Sequence, residues 1–240
     1  MSKVFYLSLI FLFFSVVCFA QNLVPNPSFE EYDTCPDFND QVNRAIGWSS
    51  YNSTPEYLNS CAPSGNNVDV PINIFGFQEA ATGEAYCALA ISYTQNPYGL
   101  REAIGTQLSS NLIIGEKYLV SIKFCLADNI NPTRTACNNL GVKFSTVQYS
   151  KLNPIPIDNI SQVYSDSIIS DTVRWTAVSG SFIADSQYRF ISIGNFFDNA
   201  HTDTINLMSE FPGVAYYYVD DVSVIKDTTT SQNELNNSSC

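Results

Sequence analysis

Polar and apolar positions along this chain follow the two-residue period of strands, and no long stretch carries the 3.6-residue period and caps of an amphipathic helix. Residues 85–92, 117–127, 141–146, 174–183, 188–196 and 215–225 are rich in β-branched and aromatic side chains. Each is bounded by Gly, Pro, Asn or Asp, the punctuation expected between strands. A short helical turn is expected within 98–110. Between the strands lie three long polar loops, 31–73, 127–140 and 197–212. Many strands joined by polar turns predict an all-β sandwich. There is no internal repeat and no linker, so one domain over 21–226 is expected, followed by a disordered polar tail over 227–240.

The last strand, AYYYVDDVSVI, differs from the others. Tyr216, Tyr218, Val222 and Val224 occupy one alternation set; Tyr217, Val219 and Ile225 occupy the other. Apolar residues on both sets predict a strand covered on both faces. Asp220 and Asp221 sit in its middle, although a buried carboxylate is costly unless it is paired, hydrogen-bonded or metal-bound. Successive side chains of a strand point to opposite faces, so at most one of the two enters any given site. One reading gives a structural cation to one aspartate and solvent or a backbone donor to the other. The other reading places both, hydrated, at a frayed strand end.

Composition narrows the setting. The first 20 of the 240 residues have a basic start at Lys3, an apolar run from Val4 to Val17, and the Cys18-Phe19-Ala20 ending of a cleavable signal. The mature chain then starts at Gln21, and the product is secreted or periplasmic. The run is too short to span a membrane comfortably, and no second one occurs. A net charge of -12 argues against nucleic acid, which is bound largely through cations on phosphate. The same charge is compatible with Ca²⁺ and with neutral sugars. No CxxC pair occurs among the cysteines, so zinc and thioredoxin-like readings lack their spacing. Cys35 with Cys61 is the first disulfide expected, in loop-like sequence, and Cys125 with Cys137 the second. Cys87, inside an apolar run, reads as a buried thiol.

Motifs for catalysis are missing: there is no G-x-S-x-G, H-E-x-x-H or P-loop. His201, near Asp198 and Asp203, reads as a solvated loop residue, and the protein is not expected to be an enzyme. Sugar binding needs an exposed aromatic platform beside amides and acids. Tyr51, Tyr57 and Tyr98, beside Asn52, Asn59 and Asn96, are the candidates, while Trp48 and Trp175 read as core. Glu30 follows the core-type Phe29. It meets Asp220 or Asp221 if the first and last strands are neighbours, and two carboxylates with loop carbonyls suit Ca²⁺.

The opening NLVPNPSFE, the pair Gly47-Trp48 and the closing YYYVDDVSV resemble the galactose-binding-like jelly-roll domains found among carbohydrate-binding modules, specifically exported modules of the Bacteroidetes type. The resemblance implies a jelly-roll β-sandwich of two antiparallel sheets. It also implies a structural Ca²⁺ on Glu30 and Asp220, with Asp221 as the alternative. The function it implies is non-catalytic binding of a glycan at or outside the cell envelope. The alternative is a structural or adhesion module whose partner is a cell-envelope protein.

Overall fold

The computed structural model describes residues 21–92, 101–129, 134–208 and 213–228. Residues 1–20, expected to be a signal, Tyr98, and residues from 229 on lie outside the described residues. The strands are β1 (Trp48–Asn52), β2 (Glu56–Asn59), β3 (Ile72–Asn73), β4 (Gly76–Phe77), β5 (Ala85–Ser92), β6 (Ala103–Gln107) and β7 (Lys117–Leu126), then β8 (Thr135–Cys137), β9 (Leu140–Ser145), β10 (Val163–Tyr164), β11 (Thr176–Ile183), β12 (Phe190–Asn195), β13 (Thr204–Asn206) and β14 (Val214–Lys226). Two five-stranded antiparallel sheets form the sandwich, one ordered β1-β6-β12-β9-β10 and the other β11-β7-β14-β5-β2. The all-β, two-sheet architecture is the one expected.

The inward faces of the sheets share one core. Phe29, Trp48, Leu89, Ile122, Phe124, Val142, Ile193, Tyr217 and Val219 are all buried in it. Burying such a side chain contributes roughly 1.5–3 kcal/mol. Trp48 packs on Phe29, with ring centroids 4.7 Å apart, and its indole N–H donates to the Asn26 carbonyl at 2.9 Å. A second apolar cluster lies on the outer face of the β14 sheet. There the segment between β2 and β5 folds back, and Val70 and Phe75 cover Leu58, Tyr86, Tyr216 and Tyr218. Phe75 stacks on Tyr216 at 4.0 Å. Strand β14 is therefore covered on both faces, as its double apolar pattern requires.

The two ends of the domain lie side by side. Leu23 N–H donates to the Val224 carbonyl at 2.8 Å, and the Asn22 side chain bridges the Val222 carbonyl and the Val224 N–H. Asp227 is buried and pairs with Lys117 at 3.3 Å, so the ordered edge extends past the expected boundary at 226. Segment 98–110 also departs from expectation. Its strand β6 lies between β1 and β12, and its centre is Gly105. A glycine without a side chain to pattern hides the alternation, and a neighbour fills the space above it: a Cβ there would sit 2.0 Å from the Tyr51 ring. Strands β1 and β2 likewise lie inside the expected loop 31–73.

Cys35 and Cys61 are disulfide-bonded across 26 residues, with Cα atoms 5.7 Å apart. Cys125 and Cys137 do not pair. Cys125 belongs to the outer cluster, where its thiol contacts the Gln78 side-chain oxygen at 3.0 Å, whereas Cys137 belongs to the inner core. The sheet between them keeps their sulfurs apart. Cys87 is a buried thiol.

Candidate functional site

The acids singled out in the sequence gather around one turn, residues 80–85, just before β5. Both oxygens of the Glu30 carboxylate accept the Glu84 N–H, at 3.0 and 3.1 Å, and one of them also accepts the Ala85 N–H at 3.0 Å. Asp220 accepts the Ala81 and Thr82 N–H groups on one oxygen, at 2.9 and 3.1 Å, and the Asp221 N–H on the other at 2.7 Å. Asp221 accepts the Thr82 hydroxyl and pairs with Lys123 at 2.5 Å. Both aspartates thus reach the same turn, contrary to strict alternation. A bulge between Asp220 and Ser223, with Asp221 at φ +52°, turns the second side chain to the first one's side. Gly83, at φ +66°, lies against Glu30, and a Cβ there would be 2.3 Å from the carboxyl carbon.

Asp220 is fully buried, and desolvation pushes its carboxyl up to about 7 against the N–H donors that lower it. Among the described residues no group of three or more His, Cys, Asp or Glu side chains is placed to hold a metal. In this geometry the acids clasp a backbone turn. Carboxylates are hard oxygen donors of the kind Ca²⁺ takes.

Two of the three tyrosines chosen as sugar platforms are buried, and the third, Tyr98, lies outside the described residues. Tyr51 is fully buried with its ring over Gly105, and its hydroxyl has no hydrogen-bond partner among the described residues; burial pushes its phenol up to about 12. Tyr57 is fully buried, and its hydroxyl donates to the Phe29 carbonyl at 2.8 Å. Both rings belong to strands that sequence reading placed in a loop, which is why they looked exposed. Trp175 sits outside the sandwich core. Half-buried, it packs edge-on against Tyr86 at 5.8 Å, and its indole N–H donates to the Glu79 carbonyl at 3.0 Å.

An exposed ring is found instead at Phe77, which is 53% exposed. It lines a cleft of 260 Å³ with Gln78, Glu79, Asp128, Thr172 and Val173. The β3–β4 hairpin positions it. Phe75 points inward onto Tyr216, and Phe77, two residues on, faces out. The Phe77 N–H donates to Asp128 at 3.2 Å, and Asn129 N–H donates to the Phe75 carbonyl at 2.9 Å, so the hairpin is tied to the chain after β7. The available signal was the pair of phenylalanines two apart in a Pro- and Asn-rich segment.

Two further acids are buried. Glu56 accepts the Tyr216 hydroxyl, and its carboxyl is raised to about 8, first by desolvation and then by nearby Glu102. Glu102 accepts the Thr54 and Ala90 N–H groups, at 3.1 and 2.7 Å, and desolvation raises it too. His201 contacts Asp198 at 2.7 Å on the surface, where the same carboxylate caps the Ala200 and His201 N–H groups. That contact closes a turn.

No protein-family model matches the chain, and no curated protein matches it. Solved structures similar to it include the CBM22-1 xylan-binding domain from Paenibacillus barcinonensis Xyn10C, at 12% identity and a TM-score of 0.43 over 86% of this chain and 95% of that one. The K1 cleaved adhesin domain of Lys-gingipain from Porphyromonas gingivalis W83 is similar at 12% identity and a TM-score of 0.41, over 83% and 96%. The enzymatically active domain of bacteriophage CBA120 tailspike protein 4 is similar at 12% identity and a TM-score of 0.40, over 86% of this chain but only 21% of its own length. Likenesses this distant concern the fold alone and decide nothing about ligand or chemistry.

Proposed function

We propose that this chain is an exported, non-catalytic module that binds a glycan, and that the glycan lies in the Phe77 cleft. The observation that carries the reading is an exposed ring on a cleft whose other walls supply two carboxylates and a hydroxyl. A pyranose has an apolar face and a rim of hydroxyls. The Phe77 ring offers a stacking surface, while Asp128, Glu79 and Thr172 offer hydrogen-bond partners around it. Hydrogen bonds and stacking fix a neutral sugar without a charged ligand group.

A structural Ca²⁺ at the Glu30–Asp220 clasp is part of the same proposal. Asp220 is buried with no cation against it among the described residues, since Lys123 is taken by Asp221. A carboxylate has about four lone-pair positions, so each acid keeps capacity beyond its three N–H bonds. Glu30, Asp220 and carbonyls of the 81–85 turn would hold the ion, which would neutralise the buried charge.

Glycan-array binding and affinity electrophoresis test the sugar reading. Wild-type protein is expected to be retained by particular polysaccharides, and Phe77→Ala to weaken retention at least about tenfold, equivalent to roughly 1.4 kcal/mol, with an unchanged circular dichroism spectrum. A blank array from folded protein, or equal retention of the variant, would refute it.

A further inference from the structure

Strand β11 is an edge of its sheet, and it lacks the devices that normally protect one. It runs eight residues, TAVSGSFI, with no charge, no proline and no bulge. All eight residues pair with β7 on one side. Among the described residues its main chain has no hydrogen-bond partner on the other side. The remaining sheet edges are managed: β10 has two residues, β2 four, and β1 is broken by a bulge between Ser50 and Asn52. A long, uncharged edge without a bulge is a template for one more strand.

Depressions lie on both sides of this edge. On the outer face a groove of 410 Å³ runs over Leu119, Ser121, Ser179, Ser181, Ser223 and Ile225. Its floor is a row in register, Ser179 beside Ser121 beside Ser223. At the seam with the other sheet, a hollow of 230 Å³ is lined by Gln162, Val163, Tyr164, Asp166 and the same Ser179–Ser181 stretch. Gly180 lets β10 come close there, since a Cβ on it would meet Val163 at 3.2 Å. A strand laid against β11 would set alternate side chains beside the Ser179–Ser181 rim of the outer groove and beside the seam hollow.

We propose that β11 docks an extended segment of a partner protein by strand addition, with small or apolar side chains beside Ser179 and Ser181 and a basic side chain toward Asp166. Charge selects this occupant. Asp166 is exposed at the seam and forms no ion pair among the described residues, while a second copy would bring another net charge of -12. Main-chain bonds would give affinity, and the two depressions would give register and preference.

A displayed library of random ten-residue peptides, selected against the whole protein, supplies the probe. Selected peptides are expected to carry Lys or Arg at alternating positions and to slow amide hydrogen exchange within 176–183. N-methylation along one edge of the peptide should abolish binding. Asp166→Lys should weaken it at least tenfold with an unchanged melting temperature, and Ser179→Lys with Ser181→Lys should weaken it independently. Failure of the library to enrich, or enriched peptides that leave exchange in 176–183 unchanged, would overturn the proposal. Concentration-dependent protection of β11 without peptide would replace the partner with a second copy.

Discussion

Tyr51 and Glu56 show how far one buried polar atom shifts the balance. The Tyr51 hydroxyl is enclosed without a partner among the described residues. An unsatisfied buried polar group costs about 1–3 kcal/mol, so Tyr51→Phe is expected to stabilise the protein by on the order of 1 kcal/mol. Urea unfolding would show a higher midpoint at the same slope; a lower midpoint would mean that the hydroxyl holds a bound water. Glu56 acts through pH. Its folded value, about 8, lies above the ordinary 4.5, so the fold accommodates the neutral acid that donates or accepts beside Tyr216. The stability this acid contributes is complete below about pH 4.5 and is lost as pH rises through 8. Melting temperature should therefore fall between pH 5 and pH 8.5, and Glu56→Gln should flatten part of that fall. Asp220 and Glu102, raised in the same direction by burial, leave a residual slope of the same sign.

The turn before β5 is the element on which the carboxylate clasp closes, and Gly83 is its tightest point. Gly83→Ala would impose both a positive φ and a collision with the Glu30 carboxyl at 2.3 Å. Gly65→Ala imposes a positive φ of +78° with nothing within 4 Å. The second change should cost about 1–2 kcal/mol, the ordinary left-handed penalty, and the first clearly more. Equal losses in chemical denaturation would show that Glu30 moves aside freely. The same element separates what was legible in the sequence from what was not. Strands such as β5, β7 and β14 were legible because sustained β-branched and aromatic content marks them. Strands β1, β2 and β6 were not, since they are short, rich in Ser, Asn or Gly, and become strands through their neighbours. The acids of the clasp were legible as costly buried charges beside core residues. Their joint aim at one turn was not, because a bulge is a backbone event that alternation cannot foresee. Tyr51 and Tyr57 were misplaced with the strands that carry them, and Phe77 was passed over because its hairpin has only two residues in each strand.

At the scale of the molecule, the chain is closed where its beginning meets its end. Asn22 to Pro27 bonds to β14 beyond the bulge, and Glu30 and Asp220 then grip the same turn from the two termini of the domain. The Asn22–Val222 contact, between residues 200 apart in sequence, orders a great deal of chain, so whatever strengthens this closure acts on the whole fold rather than on one loop. This makes the proposed Ca²⁺ measurable without any knowledge of the glycan. An ion that binds only the folded protein raises stability by an amount set by its concentration relative to Kd, about 2.7 kcal/mol at one hundred times Kd. Chelation should lower the melting temperature, added Ca²⁺ should restore it in a concentration-dependent way, and Mg²⁺ should do so poorly because it demands a tighter octahedral shell. Glu30→Gln should be less stable than wild type and indifferent to the chelator, because it removes the ligand charge while preserving one acceptor for the Glu84 and Ala85 N–H groups. If wild type and Glu30→Gln melt alike with and without chelator, hydrogen bonds alone close the clasp, and the glycan reading stands or falls separately at Phe77.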